Sequence, residues 1–444
     1  MEALRVAIVA GEASGDALGG ALIEALRAAV AARGAPASSG APAPPGAAAT
    51  PIEFHGVAGP AMRAAGCVPL ADAHELAVMG LIEPLRHLPR LVRLRARLLR
   101  EFSAWHPHVF IGVDAPAFNL GLAGRLRARG VPTVQYVSPQ IWAWRQGRVR
   151  RIARCCDLVL CLLPFEPAFY ARHAVRAEFV GHPLADQAPL APDRAAARLM
   201  LGLPPAGTVL ALLPGSRLGE VQRLSAPFIA TAQRLAAHHP DLCVVAPMAN
   251  ATVRAEFARA LRAAGASIGP AATAPIAPAA PIALAGGAVR PADAAALAVR
   301  VLDGQARAAL TAADAALVAS GTATLEALLC RCPMVVAYRV SGLTARLVRA
   351  LRLVRLARFS LPNLLAGESL APEFFQEAVI PDNLCPAVES LLADDERREQ
   401  LQRRFRAIHE SLRADGAVRA AQAVLGLLGR LGLPGRQGVE RADG

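Results

Sequence analysis

The sequence contains no lysine, few aromatic residues and few charged residues for its length. All 48 basic side chains of the 444-residue chain are arginine, aromatic residues make up 4% and charged residues 19%, whereas hydrophobic residues reach 54%. This balance excludes a chain that is disordered throughout. The formal net charge of +13 suits an acidic substrate, an anionic membrane surface or nucleic acid. The scarcity of aromatic residues disfavours a non-catalytic RNA-binding protein.

Paired CxxC spacings are also missing. None of the eight cysteines stands in such a pair, and no histidine-rich segment accompanies them, so the sequence predicts neither a zinc site nor a disulfide framework. The amino-terminal residues lack the pattern of a secretory signal. A long uncharged run over 263–289 is interrupted by four prolines, which disfavours a membrane span. We therefore expect a reduced, cytoplasmic protein in which this run is a flexible insertion.

Alternating strand and helix patterns predict an α/β fold with doubly wound sheets. A chain of this length is expected to form two domains. We place the first domain at 1–186 and the second at 187–380, with an Ala/Pro-rich insertion near 263–300. The segment 381–430 is predicted to form helices that pack back across the domains, and 431–444 to be a disordered tail.

A turn just before the middle of the chain presents polar side chains at the end of a buried strand. Five apolar residues over 209–213 precede Pro214, and Gly215, Ser216 and Arg217 follow. Open α/β sheets bind their ligands at the carboxyl ends of strands, and a guanidinium there binds a phosphate in a bidentate manner. An ordinary strand-to-helix turn with a solvated arginine is the alternative.

A second turn of this kind follows the apolar segment 315–319. Ser320, Gly321 and Thr322 lie between that predicted strand and a helix. Hydroxyl groups and backbone N–H groups at such a helix N-terminus favour an anion. Glu326 lies one helical turn beyond Thr322 on the same face, from which its carboxylate can reach a ribose.

Acidic residues follow two predicted strands in the first half. The turn 11–16 follows the strand 4–10 and opens a helix, but it lacks the G-x-G-x-x-G order of a dinucleotide-binding site. Asp114 follows the strand 109–113. A carboxylate at that end of a parallel strand points into the ligand cleft and suits a general base. An N-cap of the next helix is the alternative for Asp114.

An apolar stripe runs through the segment 75–102. Residues at helical spacing form one face, and arginines from Arg90 onward crowd the other faces. Such a stripe either packs into a core or lies in a membrane interface beside its basic face. The candidates for membrane contact are Val78, Met79, Leu81, Ile82 and Leu85.

Nine motifs stand in one order along the chain. They are GEASGD at 11–16, ELAVMG at 75–80, FIGVDAPAFN at 110–119, YVSPQIWAWR at 136–145, LPFEPAFY at 163–170, GHPLAD at 181–186, LLPGSR at 212–217, ASGTATLEA at 319–327 and SLPNLLAG at 360–367. In this order the chain resembles the lipid-A-disaccharide synthases, a family of bacterial glycosyltransferases, over nearly its whole length. A UDP-N-acetylglucosamine epimerase or the peptidoglycan glycosyltransferase would share the second half, but GEASGD and WAWR argue against both.

The resemblance implies a GT-B fold, in which two Rossmann-like domains face a central cleft, and an inverting, metal-independent reaction without a cofactor. The 6-hydroxyl of 2,3-diacylglucosamine 1-phosphate would attack the anomeric carbon of UDP-2,3-diacylglucosamine, giving a β-1,6-linked disaccharide 1-phosphate and UDP. The resemblance also implies a cytoplasmic enzyme held peripherally at the inner face of the inner membrane. Nucleic acid is not an expected partner, and a homodimer with exchanged C-terminal segments is one arrangement known in the family.

The resemblance further implies roles for individual residues. Asp114 is the general base, and Glu12, Ser14 and Asp16 face the acceptor. Position 117 is alanine where the family motif often has aspartate, so a second carboxylate there is not essential in this chain. The residues that bind the donor, the last of them at the ribose, are Gly215, Ser216, Arg217, Ser320, Gly321, Thr322 and Glu326.

Overall fold

Two compact bodies divide the chain. The computed structural model describes residues 3–34, 51–77, 84–142, 146–269, 297–340 and 358–432. The first body combines Met1–Asp186 with Leu412–Gly444, and the second is Gln187–Ser411. Within the described residues each body holds a seven-stranded parallel sheet flanked by helices. The predicted α/β class is thereby confirmed, whereas most of the Ala/Pro-rich insertion and of the tail lies outside the described residues.

The first sheet has the strand order β3-β2-β1-β4-β5-β6-β7, and its neighbouring strands are parallel. Its strands are β1 (Leu4–Ala10), β2 (Ile52–Ala58), β3 (Cys67–Asp72), β4 (Val109–Val113), β5 (Thr133–Tyr136), β6 (Leu158–Cys161) and β7 (Ala177–Phe179). The accompanying helices are α1 (Ala13–Gly34), α2 (Pro60–Ala64), α3 (His74–Ala77), α4 (Pro84–Trp105), α5 (Pro116–Arg127), α6 (Val149–Cys155), α7 (Glu166–Ala171) and α8 (Pro183–Gln187).

The core of the first body lies on both faces of this sheet. Its central strands read as continuous apolar runs because helices cover a parallel sheet on either side. On one face Leu22 and Leu26 of α1 join the core, and on the other Leu98 and Phe102 of α4 do so. Each such side chain, once buried, contributes about 1.5–3 kcal/mol, which fixes the helices against the strands and holds the strand ends in place.

The second sheet repeats the architecture in the order β10-β11-β9-β8-β12-β13-β14. Its strands are β8 (Val209–Leu213), β9 (Cys243–Met248), β10 (Ser267–Ile268), β11 (Ala298–Asp303), β12 (Ala315–Ala319), β13 (Met334–Tyr338) and β14 (Glu373–Phe375). The helices are α9 (Arg194–Met200), α10 (Leu218–His238), α11 (Ala251–Ala263), α12 (Ala306–Ala312), α13 (Thr322–Leu329), α14 (Leu361–Ala366), α15 (Pro381–Ala393) and α16 (Asp395–Leu412). Because β12 pairs with both β8 and β13, the turns that follow these strands lie at one edge of the sheet.

The last helix, α17 (Gly416–Arg430), returns the chain to the first body. It packs along α1 and adds apolar side chains to the same core. Asp186 holds its amino-terminus, since the Asp186 carboxylate accepts hydrogen bonds from the backbone N–H groups of Ala414 (3.0 Å), Asp415 (3.3 Å) and Gly416 (2.8 Å). Asp186 is also the last residue of the first segment. The two places where the chain passes between the bodies are therefore bound to each other.

Candidate active site

Asp114 lies at the carboxyl end of β4, in the middle of the first sheet. Its backbone N–H donates to the carbonyl of Tyr136 at the end of β5 (2.8 Å). Asp114 and Ala115 both have left-handed backbone conformations, with φ of 50° and 40°. Such conformations cost a non-glycine residue of order 1–3 kcal/mol and concentrate at functional sites. The main chain is thus strained where the predicted base stands.

The Asp114 side chain is partly buried. Burial raises the pKa of its carboxyl group, and a hydrogen bond from the backbone N–H of Ala115 opposes that effect. Ala115 occupies the N-cap position of α5, and no side-chain oxygen caps that helix. The N-cap alternative considered for Asp114 is therefore not what its side chain does, and the carboxylate stays available at the strand end.

The GEASGD turn packs directly against this strand end. A Cβ atom on Gly11 would lie 2.6 Å from the Cβ of Ala115, and one on Gly15 would lie 3.8 Å from the Cβ of Asp114. Gly11 therefore allows the close approach of the two segments. Glu12 and Ser14 are exposed in the same turn, so their side chains face solvent beside Asp114.

Asp16 does not share this exposure. It is 4% exposed, and its carboxylate accepts hydrogen bonds from the backbone N–H groups of Gly59 (2.8 Å), Ala61 (2.8 Å) and Met62 (3.1 Å). These groups belong to the start of α2, so Asp16 supplies the missing acceptors of that helix N-terminus. These contacts give Asp16 a structural role at α2, and its predicted role at the acceptor stays a prediction.

In the second body the turn after β8 is organised by Glu220. Gly215 has φ of 126°, and a Cβ atom there would lie 2.5 Å from the Cβ of Glu220. The Glu220 carboxylate accepts from the backbone N–H groups of Ser216 (3.2 Å) and Arg217 (3.4 Å). Those two N–H groups are therefore already bound, and a phosphate at this turn would contact side chains instead. The Arg217 guanidinium is 72% exposed and lies 3.5 Å from Glu220 Oε1.

The Ser-Gly-Thr turn lies at the carboxyl end of β12, the strand beside β8. Gly321 has φ of 146° and is the N-cap of α13, a conformation that favours glycine. Gly321 and Thr322 are exposed, while the Ser320 hydroxyl lies 3.5 Å from the carbonyl of Phe359. The helix N-terminus carries about half a positive charge, so this edge of the sheet favours an anion.

Glu326 lies one turn into α13 and is partly buried. Burial raises the pKa of its carboxyl group, and the positive charge of Arg307 opposes that effect. The helix places Glu326 on the same face as Thr322, as the spacing predicted.

Sequence reasoning gave no role to three polar residues beside these turns. Gln135 and Asn119 are 1% and 0% exposed, and both donate to the carbonyl of Asp114 (3.0 and 2.8 Å). For Gln135 the signal was a polar side chain within a buried strand. For Glu220 the signal was an acid three residues after Arg217, which is the spacing of a capping box.

The structure describes little of the predicted membrane-contact stripe. Val78, Met79, Leu81 and Ile82 lie outside the described residues, and the side chain of Leu85 is not described. The adjoining part of α4 forms a groove of about 960 Å³. Among the described helices none is long and apolar enough to cross a membrane.

Over the same residues no cluster of three or more His, Cys, Asp or Glu side chains is placed to bind a metal ion.

The fold has relatives among solved structures. The crystal structure of CalG4, the calicheamicin glycosyltransferase, matches with a TM-score of 0.50 and 18% identity, over 97% of this chain and 100% of that one. At this identity the match shows the fold alone. Two Rossmann-like bodies, each with polar turns at the carboxyl edge of its sheet, define the GT-B class of glycosyltransferase folds, and the chain has this fold.

Sequence comparison identifies the family within that class. The family profile described as lipid-A-disaccharide synthetase matches residues 6–268 and 288–426. Lipid-A-disaccharide synthase of Xanthomonas campestris pv. campestris (strain 8004) is 45% identical over 428 residues, covering 96% of this chain and 87% of that protein. The protein of the same name from Pseudomonas aeruginosa (strain LESB58) is 46% identical over 429 residues, covering 97% and 99%. The chain belongs to the lipid-A-disaccharide synthase family, which confirms the resemblance carried by its motifs.

Proposed function

We propose that the chain condenses UDP-2,3-diacylglucosamine with 2,3-diacylglucosamine 1-phosphate, using Asp114 as the general base. The Asp114 carboxylate removes the proton of the acceptor 6-hydroxyl as that oxygen attacks the anomeric carbon. A single in-line displacement inverts the α-linked donor to a β product. The observation that carries this assignment is the position of the Asp114 carboxylate, which caps no helix and lies at a strand end with a strained backbone. The raised pKa of Asp114 makes it a stronger base than an exposed aspartate.

We assign binding of the donor to residues of the second body. Arg217 and the turn of Ser320, Gly321 and Thr322 bind the diphosphate, and Glu326 binds the ribose. Negative charge develops on the leaving UDP in the transition state, and a guanidinium together with a helix N-terminus stabilises it. The exposure of Arg217 supports this role, since its positive charge is only weakly paired within the described structure.

The acceptor side consists of Glu12 and Ser14 in the first body. Both are exposed in the turn that packs against Asp114. Hydroxyl and carboxylate oxygens there accept hydrogen bonds from sugar hydroxyl groups. Asp16 supports the turn through α2 and is not part of the proposed acceptor contacts.

Release of UDP from the purified protein tests the reaction. We expect release from UDP-2,3-diacylglucosamine to depend on the monosaccharide 1-phosphate and to yield a disaccharide by mass spectrometry. Asp114→Ala should cut turnover by at least about 100-fold, the range of a lost general base, with UDP affinity nearly unchanged. Asp72→Ala is the matched control, because Asp72 ends another strand of the same sheet and is exposed beside Arg63. Near-normal turnover of Asp114→Ala would refute the assignment of the base.

The groove along α4 supports a peripheral position at the inner face of the inner membrane. The described residues that line it include the apolar Leu94 and Leu99 and a single carboxylate, that of Glu75. A surface of this composition attracts anionic headgroups. The arginines that line it are Arg90, Arg93, Arg97, Arg100 and Arg125.

Vesicle flotation tests the membrane contact. The double variant Arg97→Ala with Arg100→Ala should weaken binding to vesicles containing phosphatidylglycerol by about 30-fold, since each arginine near an anionic surface contributes about 1 kcal/mol. Arg259→Ala with Arg403→Ala removes the same charge from exposed positions of the second body. Equal losses of vesicle binding in both double variants would count against the groove as the membrane-binding surface.

A homodimer is the remaining partner that the resemblance implies, and sedimentation velocity tests it.

A further inference from the structure

Two buried side-chain amides converge on one backbone oxygen in the first body. The carbonyl of Asp114 accepts hydrogen bonds from Asn119 Nδ2 (2.8 Å) and from Gln135 Nε2 (3.0 Å). Asn119 comes from the first turns of α5, and Gln135 comes from β5, so two different elements hold the same atom. The carbonyl belongs to the peptide between Asp114 and Ala115, the two residues with left-handed conformations.

The orientation of this peptide decides where the Asp114 side chain points. Its plane is set by ψ of Asp114 and φ of Ala115, and both residues would relax toward right-handed conformations if nothing held them. Two donors on the carbonyl oppose that relaxation. Each buried hydrogen bond of this kind contributes about 0.5–1.5 kcal/mol, which is comparable to the strain at one residue.

Gln135 also reaches the end of its own strand, β5. Its Nε2 atom lies 3.4 Å from the carbonyl of Val137, whose φ of 74° is left-handed. That conformation is an outlier for a β-branched residue. One carboxamide therefore joins the strained end of β4, which carries Asp114, to the strained end of β5.

The packing around Asn119 is built for its amide. A Cβ atom on Gly112 would lie 2.7 Å from the Cβ of Asn119, so glycine at 112 lets Asn119 approach the strand. Its Oδ1 atom is buried without a hydrogen-bond partner among the described residues. A buried acceptor without a partner costs about 1–3 kcal/mol. The hydrogen bonds of this side chain are therefore made by its Nδ2 group, which is closest to the carbonyl of Asp114 (2.8 Å) and lies 3.3 Å from the carbonyls of Val9 and Val113.

We propose that Gln135 and Asn119 are positioning residues that hold the Asp114 carboxylate in its reacting orientation by binding the Asp114 carbonyl. This inference rests on the proposed role of Asp114 as general base. Neither amide touches a substrate in this scheme, so each acts on the rate only through Asp114.

The test measures Gln135→Met, which keeps the length of the side chain and removes the donor, in wild-type and Asp114→Ala backgrounds. In the wild-type background kcat should fall about 10- to 100-fold, the effect of a misplaced catalytic group, with little change in KM. In the Asp114→Ala background the same substitution should leave the residual rate unchanged within about twofold. The acid limb of the kcat/KM profile should move to lower pH, because a loosened carboxylate is less buried and burial is what raises its pKa.

Thr133→Val is the matched control. Thr133 lies at the other end of β5, is 0% exposed and donates to the carbonyl of Cys155 (2.8 Å), so its loss disturbs the same strand without touching Asp114. It should lower the melting temperature and leave the pH profile in place. Gln135→Asn, which keeps the donor but withdraws it by one methylene, is a second variant should Gln135→Met not fold, and it should show a smaller loss of kcat.

Three results would overturn the inference. They are an unchanged kcat in Gln135→Met, a loss confined to KM, and an equal loss in the Asp114→Ala background. Failure of the base assignment gives a separate result, namely near-normal turnover of Asp114→Ala alone. The two failures are therefore distinguished by the single variants.

Discussion

Replacement of Arg217 by alanine separates donor binding from fold stability. The guanidinium is 72% exposed, and its one ion pair in the described structure is the 3.5 Å contact with Glu220. Exposed pairs of this kind contribute about 0–1 kcal/mol, so Arg217→Ala should change the free energy of unfolding by about 0.5 kcal/mol or less. The Ser216 and Arg217 N–H groups are already bonded to Glu220. Arg217 therefore provides most of what this turn offers a diphosphate.

A charge-assisted hydrogen bond contributes about 1.5–3 kcal/mol. We therefore expect UDP to bind Arg217→Ala about 10- to 150-fold more weakly, as measured by isothermal titration calorimetry at fixed ionic strength. Arg234→Ala is the matched control, because Arg234 is an exposed arginine of α10, the helix that begins just after Arg217, and its partner is Asp382. UDP affinity within about twofold of wild type would refute the reasoning. A large loss of stability would show that the guanidinium serves the fold.

Three further predictions concern individual carboxyl groups. Asp186→Ala should destabilise the first body by about 1–3 kcal/mol, because three backbone N–H groups lose their acceptor; faster amide hydrogen exchange in α17 checks this. Asp16→Ala should lower the free energy of unfolding by about 1–2 kcal/mol through the start of α2 and leave KM for the acceptor unchanged, whereas a raised KM would support a role of Asp16 at the acceptor. Burial raises the pKa of Glu166 from 4.5 to about 7, so its negative charge destabilises the fold increasingly as pH rises through that window. The free energy of unfolding of Glu166→Gln minus that of wild type should therefore increase by about 3 kcal/mol between pH 4.5 and 7, and a flat difference in denaturant titrations would refute it.

The strand ends that carry the candidate site were predictable from sequence. Apolar runs ending in Asp114 or in Gly215 define a parallel strand and its turn by local pattern alone. The sequence motifs then identified the family.

Contacts between distant segments were not predictable in this way. The bond from Gly59 to Asp16 spans 43 residues, and the spacing within GEASGD contains no sign of it. The same holds for Gln135, whose donor reaches Asp114 across 21 residues because the sheet places β5 beside β4. Glu220 was missed for another reason. The turn was interpreted as a phosphate site, whereas the same N–H groups can also be bound by a carboxylate in a capping box.

The return of α17 to the first body has a consequence for folding during synthesis. The second body is one continuous segment that ends at Ser411, whereas the first needs Leu412 and the residues beyond it. Domains generally fold as they are synthesised, the amino-terminal one first. Here the core of the first body stays incomplete until α17 is made, because apolar side chains of α17 form part of it. The second body needs no residue beyond Ser411, so we expect a chain cut there to keep the second body folded and to leave the first body, which contains the proposed base, incomplete.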